Sequence, residues 1–94
     1  MDIRTIIQNE PKVVVKFFAE WCAPCKLMNI ILNEIENSID DVVFIDVDAE
    51  KELSLVNEYN VYSVPTFIKF VNGKEVGRKV GFIPQKLFVD WIRS

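Results

Sequence analysis

Histidine is absent from the 94-residue sequence, and cysteine occurs only twice, as Cys22 and Cys25. A structural zinc site takes four cysteine or histidine ligands, so only two chains sharing both cysteines could build one. A disulfide between the two cysteines would close a loop of about four residues and stabilise the fold by roughly 2 kcal/mol, which makes it a weak cross-link. We therefore favour redox chemistry for this pair over a metal site or a structural disulfide, and we expect no bound metal.

The sequence also lacks a long apolar run and an excess of positive charge. No apolar stretch approaches the roughly 18 residues that span a bilayer, and the first residues do not show the pattern of a secretory signal. Lysine and arginine number 11 against 14 aspartates and glutamates, which gives a net charge of −3. An acidic chain without a basic stripe is a poor nucleic-acid binder. We expect a cytoplasmic protein that binds neither nucleic acid nor a membrane.

The composition is that of an ordinary globular protein, with 50% apolar and 27% charged residues. A chain of this length is large enough for one hydrophobic core and too small for two. We therefore expect residues 1–94 to form a single domain, and we expect that domain to be a monomer.

Apolar spacing predicts helices and strands in the order α-β-α-β-α-β-β-α. The predicted helices begin at Ile3, at Pro24 (reaching Ile39), at residue 50 (reaching residue 59) and near Pro84, and the predicted strands cover residues 12–19, 42–47, 66–71 and 75–80. The first two strands flank a helix with short connections, so they should be parallel. The dipeptide Asn72-Gly73 suits a type I′ hairpin turn between the last two. This pattern predicts an α/β fold, a three-layer α/β/α sandwich.

Helical spacing also predicts which side chains face the core. The expected inward residues include Leu27 and Met28 in the second helix, Leu53 and Val56 in the third, and Leu87, Phe88, Trp91 and Ile92 in the last.

The two cysteines stand two residues apart, directly after a strand and directly before a helix. Free backbone N–H groups and the positive end of the helix dipole stabilise a thiolate at that position. We expect Cys22 to be the exposed, reactive sulfur, and Cys25, about one turn further along, to be less exposed. Thiol–disulfide exchange needs these two roles, an attacking thiolate and a second thiol that resolves the mixed disulfide.

Trp21-Cys22-Ala23-Pro24-Cys25-Lys26 resembles the active site of the thioredoxin family. Val64-Pro65-Thr66 resembles the family's cis-proline loop, and Lys79-Val80-Gly81 resembles the segment beside the active site. The resemblance covers nearly the whole chain.

This resemblance implies the thioredoxin fold with a central mixed sheet, in which the family's extra N-terminal strand is short or missing. It implies a thiol–disulfide oxidoreductase and electron carrier that reduces disulfide-containing protein substrates through Cys22 and Cys25. It also implies an NADPH-linked flavoprotein, thioredoxin reductase, as the electron donor. The chain has no Gly-x-Gly-x-x-Gly motif, and we expect no cofactor besides the Cys22–Cys25 disulfide.

Substrate contacts are implied for six residues of the loops around the cysteines: Trp21, Ala23, Pro24, Val64, Pro65 and Phe82. Tyr62 belongs to the same rim, and for Tyr62 and Phe82 an equal alternative is that they simply cover the core. The resemblance implies a cis bond before Pro65 and pairing of the Val64 backbone with an extended substrate. Pattern alone favours an ordinary trans proline at the start of a strand.

Four positions depart from the family. Ala23 replaces the usual glycine, which leaves the reduction potential open. Ile30 replaces a second proline, so we expect a straighter helix. Lys16 replaces a buried aspartate, and the lysine that many relatives place near that acid is Phe44 here. Lys16 could be a neutral amine base, a cation that stabilises the Cys25 thiolate, or a structural residue whose ammonium reaches solvent. We favour the solvent-reaching interpretation.

Two rival functions remain open. A disulfide oxidase or isomerase would use the same cysteines with a different reduction potential. A non-redox adaptor subunit would use the fold for binding alone.

Overall fold

The computed structural model of the chain describes residues 2–94. Its elements follow the predicted order: α1 (Ile3–Asn9), β1 (Lys12–Phe18), α2 (Ala23–Ile35), β2 (Val43–Asp48), α3 (Leu53–Glu58), β3 (Thr66–Val71), β4 (Lys74–Val80) and α4 (Gln85–Arg93). A short 3-10 turn, Glu36–Ser38, links α2 to the segment before β2. The predicted second helix is therefore too long, because Ile39 has extended backbone although its side chain is buried.

The four strands form one mixed sheet in the order β2-β1-β3-β4. β1 and β2 are parallel, as predicted, and β3 is antiparallel to both β1 and β4. Asn72 and Gly73 have φ angles of 51° and 83°, the positive values that a type I′ turn requires at both central residues. Within residues 2–94 no strand pairs with the outer edge of β2, which agrees with the expectation that an extra N-terminal strand is short or missing.

Each face of the sheet carries its own hydrophobic layer, because successive side chains of a strand point to opposite faces. Val13, Val15 and Phe17 of β1 pack with α1 and α3. Val14 packs on the other face with α2 and α4. The predicted α/β/α sandwich is therefore confirmed, with helices on both faces of a buried central strand.

Three leucines predicted to face inward are exposed. Leu27, Leu53 and Leu87 have 52%, 64% and 60% of their surface accessible. In each helix the buried residues stand at neighbouring positions instead: Met28, Leu32 and Ile35 in α2, Leu55 in α3, and Phe88 and Ile92 in α4. α3 begins at Leu53 rather than at residue 50. Because the helix starts later than the spacing indicated, different residues of it face the sheet.

Lys69 of β3 is buried against the end of α4 and was not singled out by the sequence pattern. Its Nζ donates to the carbonyl oxygens of Trp91 (2.9 Å), in the last turn of α4, and of Ser94 (2.5 Å), the C-cap residue of that helix. Burial lowers the pKa of Lys69, and the neighbouring charge of Lys12 lowers it further. The ammonium therefore fastens the last turn of α4 to the sheet.

Candidate active site

The two cysteines lie where β1 ends and α2 begins. Cys22 is the N-cap residue of α2, and its Sγ accepts a hydrogen bond of 3.2 Å from the backbone N–H of Cys25. Pro24 occupies the first turn, where a missing N–H costs no helical hydrogen bond. The sulfur of Cys22 thus sits at the positive end of the helix, the position that favours a thiolate once the disulfide is reduced.

Cys22 and Cys25 form a disulfide, with a Cα–Cα distance of 5.3 Å. Both residues are almost fully buried, at 3% and 2% exposed, so Cys22 is not exposed as the sequence predicts. The reason is packing, since the pair lies against Ala19, with Phe18 and Val64 at its border. In this oxidised form a partner must approach Cys22 past that border.

The Val64–Pro65 peptide bond is cis, as the resemblance implied. The Val64 carbonyl oxygen lies 3.6 Å from Cys22 Sγ, which puts this loop directly beside the disulfide. The N–H of Gly81 donates to the Pro65 carbonyl oxygen at 2.9 Å, so the segment ending at Gly81 borders the site as predicted. Gly81 has a φ of +88°, a conformation that other residues rarely adopt.

An open apolar groove of about 420 Å³ runs beside the disulfide. Seven residues line it: Trp21, Ala49, Val56, Val61, Tyr62, Ser63 and Val64. Trp21 and Tyr62 are 69% and 91% exposed, which rules out the alternative that Tyr62 covers the core. Ala49, Val56, Val61 and Ser63 were not predicted to line a groove, because only the folded positions of α3 and its flanking segments bring them together.

Of the remaining predicted contact residues, Ala23, Pro24 and Phe82 lie at the surface outside the groove, whereas Pro65 is fully buried. Ala23 and Pro24 are exposed at the start of α2. Phe82 is half exposed and directly follows Gly81, while the N–H of Ile83 lies 3.3 Å from the sulfur of Met28 in α2. Phe82 is therefore held between the Pro65 loop and α2.

Lys16 is buried in β1, on the same face as Val14 and α2. Its Nζ lies 5.4 Å from the centre of the Phe18 ring. Burial lowers the pKa of Lys16, while the carboxylates of Asp46 and Glu36 oppose that shift. Every fully buried side-chain nitrogen or oxygen among residues 2–94 has a hydrogen-bond partner. Nζ of Lys16 has none there, so its ammonium keeps contact with solvent, which favours the solvent-reaching interpretation.

Within the part of the chain that the structure describes, no group of three or more histidine, cysteine or carboxylate residues is arranged to hold a metal ion. No helix of that part is long and apolar enough to cross a membrane.

A disulfide at a helix N-terminus, faced by a cis-proline loop on a mixed sheet, defines a thiol–disulfide oxidoreductase site. The sequence model of the family described as Thioredoxin matches residues 3–94. The chain belongs to the thioredoxin family, and its Cys22–Cys25 pair serves dithiol–disulfide exchange.

Individual relatives agree with this assignment. The chain is 36% identical over 84 residues to the thioredoxin of Mycoplasmoides gallisepticum, covering 89% of this chain and 84% of that protein. It is 41% identical over 91 residues to the chloroplastic thioredoxin Y2 of Arabidopsis thaliana, of which it spans 54%, while that match covers 95% of this chain. The solved structure of Plasmodium falciparum thioredoxin superposes with a TM-score of 0.89 at 32% identity, covering 97% of this chain and 88% of that one.

Proposed function

We propose that this chain is a protein-disulfide reductase in which Cys22 attacks and Cys25 resolves. The Cys22 thiolate attacks one sulfur of a substrate disulfide, so that a mixed disulfide forms and the other substrate sulfur leaves as a thiolate. Cys25, as thiolate, then attacks Cys22 Sγ and releases the second substrate sulfur. The substrate has gained two electrons, and the Cys22–Cys25 disulfide has formed. The observation that carries this assignment is the hydrogen bond from the Cys25 N–H to Cys22 Sγ at the start of α2.

The groove and the Pro65 loop support substrate contacts at Trp21, Ala23, Pro24, Val64 and Phe82. Pro65, whose ring is buried, would take part by holding Val64 beside the disulfide. An extended substrate segment that pairs with the Val64 backbone would bring its disulfide to Cys22, because the Val64 carbonyl oxygen lies 3.6 Å from that sulfur. Trp21 and Tyr62 would then contact an apolar side chain of the segment. Phe82 would contact the segment on the opposite side.

Several finer statements belong to the same proposal. The chain acts as a single-domain monomer over residues 1–94, in the cytoplasm, as an electron-transport protein of cell redox homeostasis. Thioredoxin reductase restores its dithiol. Family membership supports the reductase partner, since the dithiol must be regenerated after each turnover and the chain itself carries no nucleotide-binding motif.

Reduction of insulin by dithiothreitol tests the proposed activity. The wild-type chain should accelerate precipitation of the insulin B chain, and the double variant Cys22→Ser/Cys25→Ser should not. If the double variant kept its biological activity, the adaptor function would replace this proposal. A reduction potential measured against glutathione separates a reductase from an oxidase or isomerase, for which the reduced form is the stabilised one.

Removal of the Tyr62 ring should weaken substrate docking without affecting the sulfur chemistry. We expect Tyr62→Ala to lower kcat/KM for insulin by about tenfold, the factor that a lost aromatic contact of roughly 1.4 kcal/mol produces. Reduction of a small aromatic disulfide should be unchanged, because such a disulfide does not fill the groove. Leu87→Ala is the matched control, since Leu87 is also exposed but lies on α4. Equal losses for the two disulfides would contradict a docking role.

Lys16→Met should leave resolution of the mixed disulfide within about threefold of wild type, a barrier change under about 0.7 kcal/mol. The reason is that the carboxylates of Asp46 and Glu36 act on the Lys16 ammonium, which keeps contact with solvent. Stopped-flow measurement of the resolving step at pH 7 decides this. A tenfold or larger loss would make Lys16 part of the machinery that activates Cys25.

The same variant should be more stable than wild type at neutral pH. Burial lowers the folded-state pKa of Lys16 below its unfolded value of about 10.4, so the folded state disfavours the ammonium at neutral pH. Between the two pKa values the unfolded chain binds more protons, and wild-type stability therefore rises with pH. Urea unfolding should show the advantage of Lys16→Met shrinking as the pH approaches about 10.4. Lys86→Met, which alters an exposed lysine, is the matched control.

A further inference from the structure

The outer edge of β2 presents free backbone hydrogen-bonding groups. The N–H of Ala49 donates to the Phe18 carbonyl oxygen of β1 at 2.8 Å. The residues of β2 that lie an even number of positions before Ala49 therefore also direct their N–H and C=O groups toward β1. Alternation along the strand then directs the N–H and C=O of Phe44 and Asp46 away from the sheet. No backbone partner for these four groups occurs within residues 2–94.

The C-terminal end of this edge is already hydrogen-bonded within the chain. At the C-terminal end the Asp48 carbonyl oxygen already accepts hydrogen bonds from Lys51 (3.1 Å) and Glu52 (2.9 Å), which closes the edge there. Ala49, the next residue, lines the groove beside the disulfide. The free edge therefore leads toward the active site but is separate from it.

The two faces beside the edge differ in chemistry. On the α2 face the exposed side chain of Asp46 stands beside the edge, and both Asp46 and Glu36 act on the buried Lys16. Two carboxylates thus stand near a single buried ammonium on this part of the face. On the α1/α3 face an open cavity of about 400 Å³ lies at the edge, with apolar side chains of Ile3, Val47 and Leu55 among its walls.

The charged groups around that cavity are partly paired already. Arg4 forms ion pairs with Asp2 and with Glu58, and the remaining charged lining residues are Lys51 and Glu52 together with Asp46 and Asp48 of the strand. The part of the cavity wall that suits an apolar side chain is therefore the patch formed by Ile3, Val47 and Leu55.

We propose that the outer edge of β2 is a second docking surface, which binds an extended segment of a protein partner in which basic and apolar residues alternate. The segment would add to the sheet as a fifth strand and hydrogen-bond with Phe44 and Asp46. Because its side chains alternate between faces, its basic residues would lie beside Asp46 and its apolar residues would reach the cavity.

A second copy of this chain fits the edge less well. Its own β2 would bring Asp46 against another acidic edge, and like charges facing each other across strands are destabilising. Its β4 carries Lys74, Arg78 and Lys79 and is the more complementary strand. However, an edge of about six residues buries much less than the roughly 1,200 Å² of a stable protein interface, so a short segment is the better occupant.

The probe is an acetylated and amidated hexapeptide of alternating valine and lysine, titrated into the oxidised 94-residue protein with backbone amide NMR as the readout. We expect saturable shifts centred on the amides of Phe44 and Asp46 with a Kd below about 1 mM, together with about tenfold slower hydrogen exchange at these two amides. The valine–glutamate peptide should not bind. Binding of both peptides alike, or shifts confined to the groove beside the disulfide, would overturn the proposal.

Variants at Asp46 distinguish the contribution of backbone hydrogen bonds to peptide binding from that of charge. Asp46→Pro removes an outward N–H and no β1–β2 hydrogen bond, so it should abolish binding. Asp46→Lys, which keeps the N–H, should instead favour the glutamate peptide and remains informative if the proline variant does not fold. Asp90→Asn, an exposed acid on α4, should change nothing. Shifts of the Phe44 and Asp46 amides with protein concentration alone would show that a second copy occupies the edge, and this too would overturn the proposal.

Discussion

Cys25→Ser should accumulate as a mixed disulfide with its substrate, whereas Cys22→Ser should lose turnover by at least about a thousandfold, or roughly 4 kcal/mol of barrier. The opposite outcomes follow from position. Cys22 caps α2, where the helix terminus stabilises its thiolate, and Cys25 lies one turn inside with 2% of its surface exposed. Removing the second sulfur leaves the first covalent step intact and deletes the step that releases product. Insulin reduction measures turnover, and mass spectrometry under non-reducing conditions detects the trapped complex.

The control for this pair of variants is alkylation of the reduced wild-type protein. At neutral pH, Cys22 should react with iodoacetamide much faster than Cys25, because the thiolate is the reacting species. Equal rates for the two thiols, or a trapped complex with Cys22→Ser, would reverse the assignment of attacking and resolving sulfurs.

Phe88→Ala should lower the free energy of unfolding by about 3–5 kcal/mol, because it opens a cavity in a fully buried site. The Phe88 ring centre lies 4.8 Å from that of Phe67 and 5.9 Å from that of Trp91, so the variant removes contacts with two other aromatic rings. Domains of this size have only about 5–15 kcal/mol of stability in total. The variant should therefore unfold at much lower urea concentration, which urea titration of the oxidised protein measures.

Phe82→Ala is the matched control, since Phe82 carries the same ring and is 50% exposed. Its loss should cost less than about 1 kcal/mol of stability. Its effect should appear instead as a raised KM for insulin, because Phe82 lies between the Pro65 loop and α2. A large stability loss with unchanged kinetics would show that Phe82 is a core residue and not a substrate contact.

Local features of this fold were readable from the sequence where one residue fixes one conformation. Asn72 and Gly73 both tolerate positive φ, and the hairpin turn lies at these residues. The Cys-x-x-Cys pair between an apolar strand and a proline-initiated helix indicated the location of the disulfide. The cis bond before Pro65 was different, since the residue pattern alone favoured a trans proline and only the family resemblance reversed that prediction.

Features that depend on how elements pack were not readable. Leu53 and Leu87 have the hydrophobicity of core residues, but the faces of α3 and α4 that meet the sheet are set by helix start and docking angle. Lys69 is buried although lysine is usually exposed, because the end of α4 supplies acceptors for its ammonium. Periodicity within a single element contains no information about such an acceptor from 22 residues away.

The two layers of the sandwich support different parts of the active site. The groove wall at Val56 and Val61 belongs to the α1/α3 layer, while the helix that holds the two sulfurs is packed in the α2/α4 layer. Substitutions behind the groove should change which substrates are accepted and leave thiol reactivity unaltered, and substitutions beneath α2 should do the reverse. Distant residues without shared partners contribute additively, so effects of substitutions in these two layers on substrate choice and on redox chemistry should add. The exception is Val64, which lines the groove and also packs against the disulfide.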